Sequence, residues 1–292
     1  MLFRSADSTA VAAQRQYLLA IRLRLYLLVV AAAAGAVSVA AGGVDWSSFA
    51  GAAALVAAAL TELYLVRDHP DRRWYEGRAA AESAKTLGWR YAVGAEPFGV
   101  EAVSGRDADR LLIQRLGEIL TDLDDLATEL HGGTEQITAA MRAVRAAPLP
   151  VRRAVYERWR IGEELAWYQT KSAWNQRRAH QLTLAVLVCE VVGAVGGLLR
   201  VAGVTVNLLG VAAAGAAVLG LWLQTKQHQV LAHAYAVTAQ ELSSIRSLIQ
   251  WQESESDWSG FVDDAEQAVS REHTLWRANR GLPDRWSKRG PR

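Results

Sequence analysis

The chain has 292 residues, 51% of them hydrophobic and 21% charged, with a formal net charge of +2. That length accommodates two modest domains at roughly 100–200 residues each. So even a charge balance excludes the basic footprint that grips a phosphate backbone, and nucleic acid is not an expected partner. The one cysteine, Cys189, excludes an intrachain disulfide framework and a cysteine-built zinc cage; lying in an apolar run, it reads as a small buried thiol.

The apolar residues are clumped. A hydrocarbon core about 30 Å thick needs roughly 20 apolar helical residues at about 1.5 Å each. Four stretches qualify, at 25–41, 49–66, 182–199 and 204–223. The short links within each pair, 42–48 and 200–203, force the chain back as a hairpin. Arg22 and Arg24 ahead of the first stretch, with small residues near Ala41, resemble a secretion signal, but a second stretch follows at once, which points to retention. Basic residues stay on the cytoplasmic side. Arg15, Arg22 and Arg24 precede the first hairpin and Arg67, Arg72 and Arg73 follow it, while its turn carries none. Lys171, Arg177, Arg178 and Lys226 outweigh Arg200 in the same sense for the second. Both termini are therefore expected in the cytoplasm. Trp46 at the outer turn and Tyr26, Tyr64 and Trp222 at the inner ends suit the headgroup layer.

After the second span, Asp68-His69-Pro70 interrupts the helix. Trp74, Arg78, Ala81, Glu82, Lys85 and Trp89 then fall three or four apart on one helical face, where Arg78 and Glu82 can pair. Leu112, Leu116, Ile119, Leu123, Leu126 and Leu130 form the seam of a soluble helix between Asp107 and His131, stopped by Gly132-Gly133. The nearby Asp122, Asp124 and Asp125 read as a solvated face. Thr134 is a candidate cap for a shorter helix to Ala147, punctuated by Pro148 and Pro150. Tyr156, Arg160, Trp167, Lys171 and Asn175 make a second stripe leading into the third span.

Glu190 stands inside that span, at a cost of roughly 2.5–3.5 kcal/mol on insertion scales for an acidic side chain. Both a pore lining and a protonated, hydrogen-bonded packing residue fit. Glu62, nearer the inner interface, is a weaker pore candidate because it can reach water. Gly193 and Gly197 have the spacing that lets helices approach closely. The fourth span meets no strong stop before Trp251 and is expected to be one helix roughly 70 Å long. Leu231, Tyr235, Thr238, Leu242, Ile245 and Ile249 give it a packing seam. The closing segment carries Glu266, Ser270, Arg271, Glu272, His273 and Trp276. No phosphate-cradling glycine loop, nucleophile elbow or paired-histidine metal motif sits on a suitable element. His228 and His233, five apart, share no face well. No catalytic residue, metal site or cofactor is expected.

The blocks Trp74-Tyr75 with Arg78, Glu82, Ser83 and Lys85, then Trp89-Arg90-Tyr91 and Pro97-Phe98, are similar to those of the SLATT proteins, SMODS and SLOG associating two-transmembrane effectors. Trp167-Tyr168 with Lys171 and Asn175, and Glu266 with Ser270-Arg271-Glu272-His273 and Trp276, carry the resemblance in the second half. It looks like two such domains in tandem. The implied fold is all-α and integral to the membrane, with four transmembrane helices as two hairpins and long helices extending into a cytoplasmic helical bundle. The expected divisions are a first unit at 1–100, a helical linker at 101–150, a second unit at 151–280 and a disordered basic tail at 281–292. Weak identity with a shared plan suggests an internal duplication. The resemblance implies a non-enzymatic effector of a bacterial conflict or antiviral defence system, in the inner membrane, forming an oligomeric pore or ion channel when a signalling or nucleotide-sensing partner acts. A membrane-anchored scaffold for cytoplasmic proteins and a constitutive channel or transporter are the alternatives.

Overall fold

The computed structural model describes residues 2–36, 40–41, 44–121, 135–203 and 208–278, with backbone alone for 2, 40, 41, 44 and 270–278. Of the sequence expectations, Gly42-Gly43, the acidic cluster 122–125, Leu123 to Leu130 of the first seam, the Gly132-Gly133 stop, Thr134 and the 281–292 tail lie outside the described residues.

Helices dominate. In chain order they are α1 (Leu2–Ala36), α2 (Trp46–Asp68), α3 (Pro70–Val93), α4 (Gly105–Thr121), α5 (Ala139–Ala146), α6 (Leu149–Tyr156), α7 (Glu163–Val201), α8 (Leu208–Lys226), α9 (His228–Leu248) and α10 (Glu255–Ala278). A π-helical turn, Glu157–Gly162, joins α6 to α7, and a 3-10 turn, Ile249–Trp251, closes α9. A two-residue antiparallel ladder, β1 (Ala40–Ala41) with β2 (Val44–Asp45), precedes α2. Asp45 caps α2, its carboxylate accepting from the Ser47 and Ser48 amides at 3.0 and 3.3 Å. Thr138 caps α5 by accepting from the Met141 amide at 3.3 Å, so the cap is four residues beyond the one expected from sequence.

Four helical stretches are long and apolar enough to cross a membrane: within α1, in α2, in α7 and in α8. The one continuous helix expected from 204 to Trp251 is broken at Gln227, whose φ of 49° is left-handed. Its amide still donates to Leu223 O, and Leu231 N to Gln227 O, both at 2.9 Å, so the chain bends without losing its ladder there. His69, with φ 42°, makes the equivalent break between α2 and α3. In each half, then, the second long apolar helix ends on a left-handed residue while the first runs straight into its apolar stretch.

The chain forms two compact units. One comprises Gln14–Pro70 and Ser172–His233 and holds the apolar stretches. In it α1 and α2 run antiparallel: Arg24 meets Glu62 at 2.6 Å, and a Cβ on Gly51 would lie 3.5 Å from Ala34 Cβ. α7 and α8 are also antiparallel. Their closest approach is at Gly196, where a Cβ would come 2.6 Å from Leu208 Cβ, while Gly193 and Gly197 face Ala212 and Leu209 at ordinary separations. Close approach therefore rests on Gly196 rather than on the Gly193–Gly197 pair read from spacing.

The other unit comprises Met1–Ala13, Asp71–Lys171 and Ala234–Arg292. One of its cores gathers Ala80, Ala84 and Tyr91 of α3, Leu112, Leu116 and Ile119 of α4, and Ala6 of α1. The α1–α3 approach needs Gly77, since a Cβ there would sit 3.1 Å from Ala10 Cβ. The second core gathers Tyr156, Ile161, Leu165 and Tyr168 with Leu242, Ile249, Trp258 and Val262. Leu112, Leu116 and Ile119 of the first seam and Leu242, Ile245 and Ile249 of the second thus lie in or against packed interiors, whereas Leu231 belongs to neither.

Between α3 and α4 the chain turns at Gly94, φ 73°. Buried arginines satisfy this segment's carbonyls. Arg145 donates to Tyr91, Phe98 and Val103 O at 3.2, 2.5 and 3.1 Å. Arg152 and the Trp258 indole both donate to Val93 O at 2.8 Å, and Arg152 also pairs with Glu255. A buried carbonyl without such a donor would carry its full desolvation cost.

Candidate functional site

Tyr156, Arg160 and Glu164 recur at four-residue steps through the π-helical turn and into α7, well ahead of the apolar stretch at 182–199. A π-turn widens the ladder and is enriched at functional positions. Gly162 fits this one, because a Cβ there would meet Glu157 O at 3.1 Å. Arg160 and Glu266 of α10 are both wholly buried. Arg160 grips Glu266 with both arms of its fork, Nε to Oε1 at 2.8 Å and Nη2 to Oε2 at 2.7 Å. It also donates to Glu164 at 2.8 Å and to Glu82 of α3 at 3.2 Å. Tyr156 and Thr86 hydroxyls complete Glu266 at 2.9 and 2.8 Å, and Lys85 pairs with Glu164.

Burial by itself would pull the Arg160 guanidinium down, but Glu266, with Glu82 and Glu164 behind it, outweighs burial and holds it well above its ordinary value. Burial, then the Glu266 charge, pushes the Tyr156 phenol well above its ordinary value, so it stays a donor. Two cations face three carboxylates. With its Arg160–Glu266 centre closed to water and Lys85 at its accessible edge, this cluster fastens α3, the π-turn and α10 together.

The residues singled out by sequence mostly line this unit. Trp74 stacks on Tyr75 with centroids 4.7 Å apart. Arg78 reaches Asp7 of α1 at 3.2 Å, and Arg90 reaches Asp263 at 2.7 Å. Ser83 is half-buried beside buried Glu82 and Ala84. Trp89 meets Tyr156 edge-on at 6.0 Å. Trp167 packs on Tyr168 and Tyr235 at 5.0 and 5.4 Å with the Lys171 ammonium over its ring at 5.8 Å. In the apolar unit, Asn175 is buried with its Oδ1 2.7 Å from His228 Nδ1. The side chains of Arg271, Glu272, His273 and Trp276 lie outside those described. The sequence singled out Arg160, Glu82 and Glu266 separately, but nothing local linked Arg160 to them or to Glu164 and Thr86. Arg145 and Arg152 were missed altogether; their only signal is that each interrupts the apolar pattern of a short helix.

Two cavities flank the cluster's unit. One, of about 400 Å³, is lined largely by apolar groups including Phe3, Trp89, Leu112, Met141 and Val144. The other, of about 460 Å³ at the start of α4, includes Arg106, Arg142, Asp109 and Tyr91. Burial and a hydrogen bond to Asp109 push the Tyr91 phenol up to about 12. Among the described residues no group of three or more histidine, cysteine or carboxylate side chains is placed to hold a metal.

Glu190 is exposed on α7, whereas Glu62 is half-buried against Arg24. Only 6–11% of each apolar stretch is buried within the chain.

With four such helices in two antiparallel pairs and a charged cluster built from both halves, the chain defines a tandem two-transmembrane protein. Residues 1–153 match the SMODS and SLOG-associating 2TM effector domain 3, and residues 156–276 match domain 1 of the same series. The chain belongs to this SLATT family, carrying two of its domains, and is a membrane protein. No curated protein and no solved structure gave a significant match. The Arg160 cluster joins the two domains, since Glu82, Lys85 and Thr86 fall in the first match and Tyr156, Arg160, Glu164 and Glu266 in the second.

Proposed function

We propose that this protein is a non-enzymatic membrane effector of a bacterial defence system that assembles in the inner membrane into an oligomeric pore. Each pair of apolar helices is a membrane hairpin, with both termini and the charged unit in the cytoplasm. The observation carrying this reading is that only 6–11% of each apolar stretch is buried within the chain, while Glu190 stands exposed among those residues. Lipid satisfies the apolar surface but not a carboxylate, so neighbouring copies that bring Glu190 to a shared polar path solve both demands. Signalling then comes from another chain, and a nucleotide-sensing protein is the expected partner.

The test is flux from liposomes loaded with an ion-sensitive dye, with the signalling partner added. Wild-type protein conducts and Glu190→Gln conducts several-fold less. A monodisperse monomer that leaves flux unchanged defeats the proposal. The apolar cavity beside Trp89 favours a second reading, a membrane-anchored scaffold. In that case Glu190→Gln keeps full function and Met141→Asp, in the cavity wall, removes it.

A further inference from the structure

Where the apolar stretches of α1, α7 and α8 give way to polar sequence, near the Gln227 bend, four basic side chains gather on two tryptophans. Arg22 Cζ lies 5.2 Å and Lys226 Nζ 5.5 Å from the Trp222 ring centroid. Arg178 Cζ lies 5.5 Å from the Trp174 centroid, and the His228 ring meets Trp174 edge-on, also at 5.5 Å. The two pairs form one group, because the Arg22 charge reaches Lys226 and the charges of Lys226 and Arg178 reach His228. Lys226 is half-buried, and Arg22 and Arg178 are exposed.

Among the described residues no carboxylate pairs with Arg22, Lys226 or Arg178; Arg178 donates to the Gln181 amide oxygen at 3.3 Å. The contrast with Arg24 is direct, since Glu62 neutralises that residue. Like charges held together in a partly desolvated place repel one another unless an anion joins them. All of them sit just beyond the apolar stretches, level with tryptophans that favour the headgroup layer. The anion available at that depth is a phospholipid phosphate, and basic pockets between spanning helices are suited to it.

We propose that Arg22, Lys226 and Arg178, braced by Trp222 and Trp174 and backed by the His228–Asn175 pair, bind the phosphate of an anionic phospholipid headgroup. The site requires only that the apolar helices be in a bilayer, so it stands or falls separately from the pore. The probes are phosphatidylglycerol, phosphatidylcholine and inorganic phosphate, each added to full-length protein in mild detergent. Bound lipid is read by native mass spectrometry and stability by thermal unfolding.

Phosphatidylglycerol should be retained and raise the Tm, phosphatidylcholine much less, and inorganic phosphate at the same concentration not at all. The double variant Arg22→Gln, Lys226→Gln should retain at least several-fold less phosphatidylglycerol, whereas Arg67→Gln, Arg177→Gln, which removes equal charge nearby, should match wild type. If the first double variant does not fold, Lys226→Gln alone is compared with Lys226→Arg, and only the arginine variant should keep the preference. Equal retention of the two lipids, an equal shift from inorganic phosphate, or equal loss in the Arg67, Arg177 control overturns the assignment.

Discussion

Arg160 is the residue on which the polar unit turns. A guanidinium removed from water is tolerated only when its donors are met, and here Glu266, Glu164 and Glu82 meet them. Arg160→Met leaves Glu266 buried without its cation, and chemical denaturation should register a loss of about 3–5 kcal/mol. A compensating Glu266→Leu should recover part of it, because the bidentate pair would then be replaced as a unit. Gly94→Ala should cost about 1–3 kcal/mol in the same measurement. Its left-handed backbone disfavours a side chain, and the new Cβ would lie 2.7 Å from both Arg152 Nη1 and Val100 Cγ1. Asp45 gives a pH dependence. Side-chain hydrogen bonds from Ser47 and Ser48 lower its carboxyl from 3.8 to about 2. A depressed carboxyl stabilises the fold above its unfolded value, so the cap holds above about pH 4 and fails as pH falls toward 2. Amide-exchange protection at Ser47 and Ser48, taken relative to the intrinsic rate at each pH, should fall over that window and hold on the alkaline side.

At the scale of elements, the bends at His69 and Gln227 do for the two halves what proline at 70 alone was expected to do for one. A non-glycine residue in the left-handed region costs roughly 1–2 kcal/mol. Gln227→Gly should therefore keep the bend and raise the Tm slightly, while a β-branched Gln227→Ile should lower it. Pairing of α7 with α8 depends on Gly196, where even a methyl group would meet Leu208. Gly196→Val should separate these helices, with a loss of about 1–3 kcal/mol from overpacking, measurable as a weaker detergent-unfolding midpoint. Gly193→Ala, with room beside Ala212, should be tolerated far better. The described seam residues Leu112, Leu116 and Ile119, like Leu242 and Ile249, were legible in sequence because helical periodicity alone selects the buried face.

For the whole molecule, the question is how little-buried apolar helices coexist with a charged unit held by its own ion pairs. The four apolar stretches and the tandem plan were readable because bilayer thickness imposes a length that no soluble helix needs. The Arg160 cluster was not, since Glu82 and Glu266 stand 78 and 106 positions from Arg160 in the chain. Periodicity reports which face of a helix is buried, never which distant residue covers it.

What the sequence by itself determined is therefore the number of apolar helices, their polar flanks and the family to which the chain belongs. Tertiary structure alone decided that the two domains share one buried ion cluster, that Gly196 sets the α7–α8 approach, and that Arg22 meets Lys226 over one tryptophan. The physical reason is range: hydrophobic length and helical spacing are local properties of a chain, whereas pairing a buried charge is a property of where remote segments come to rest.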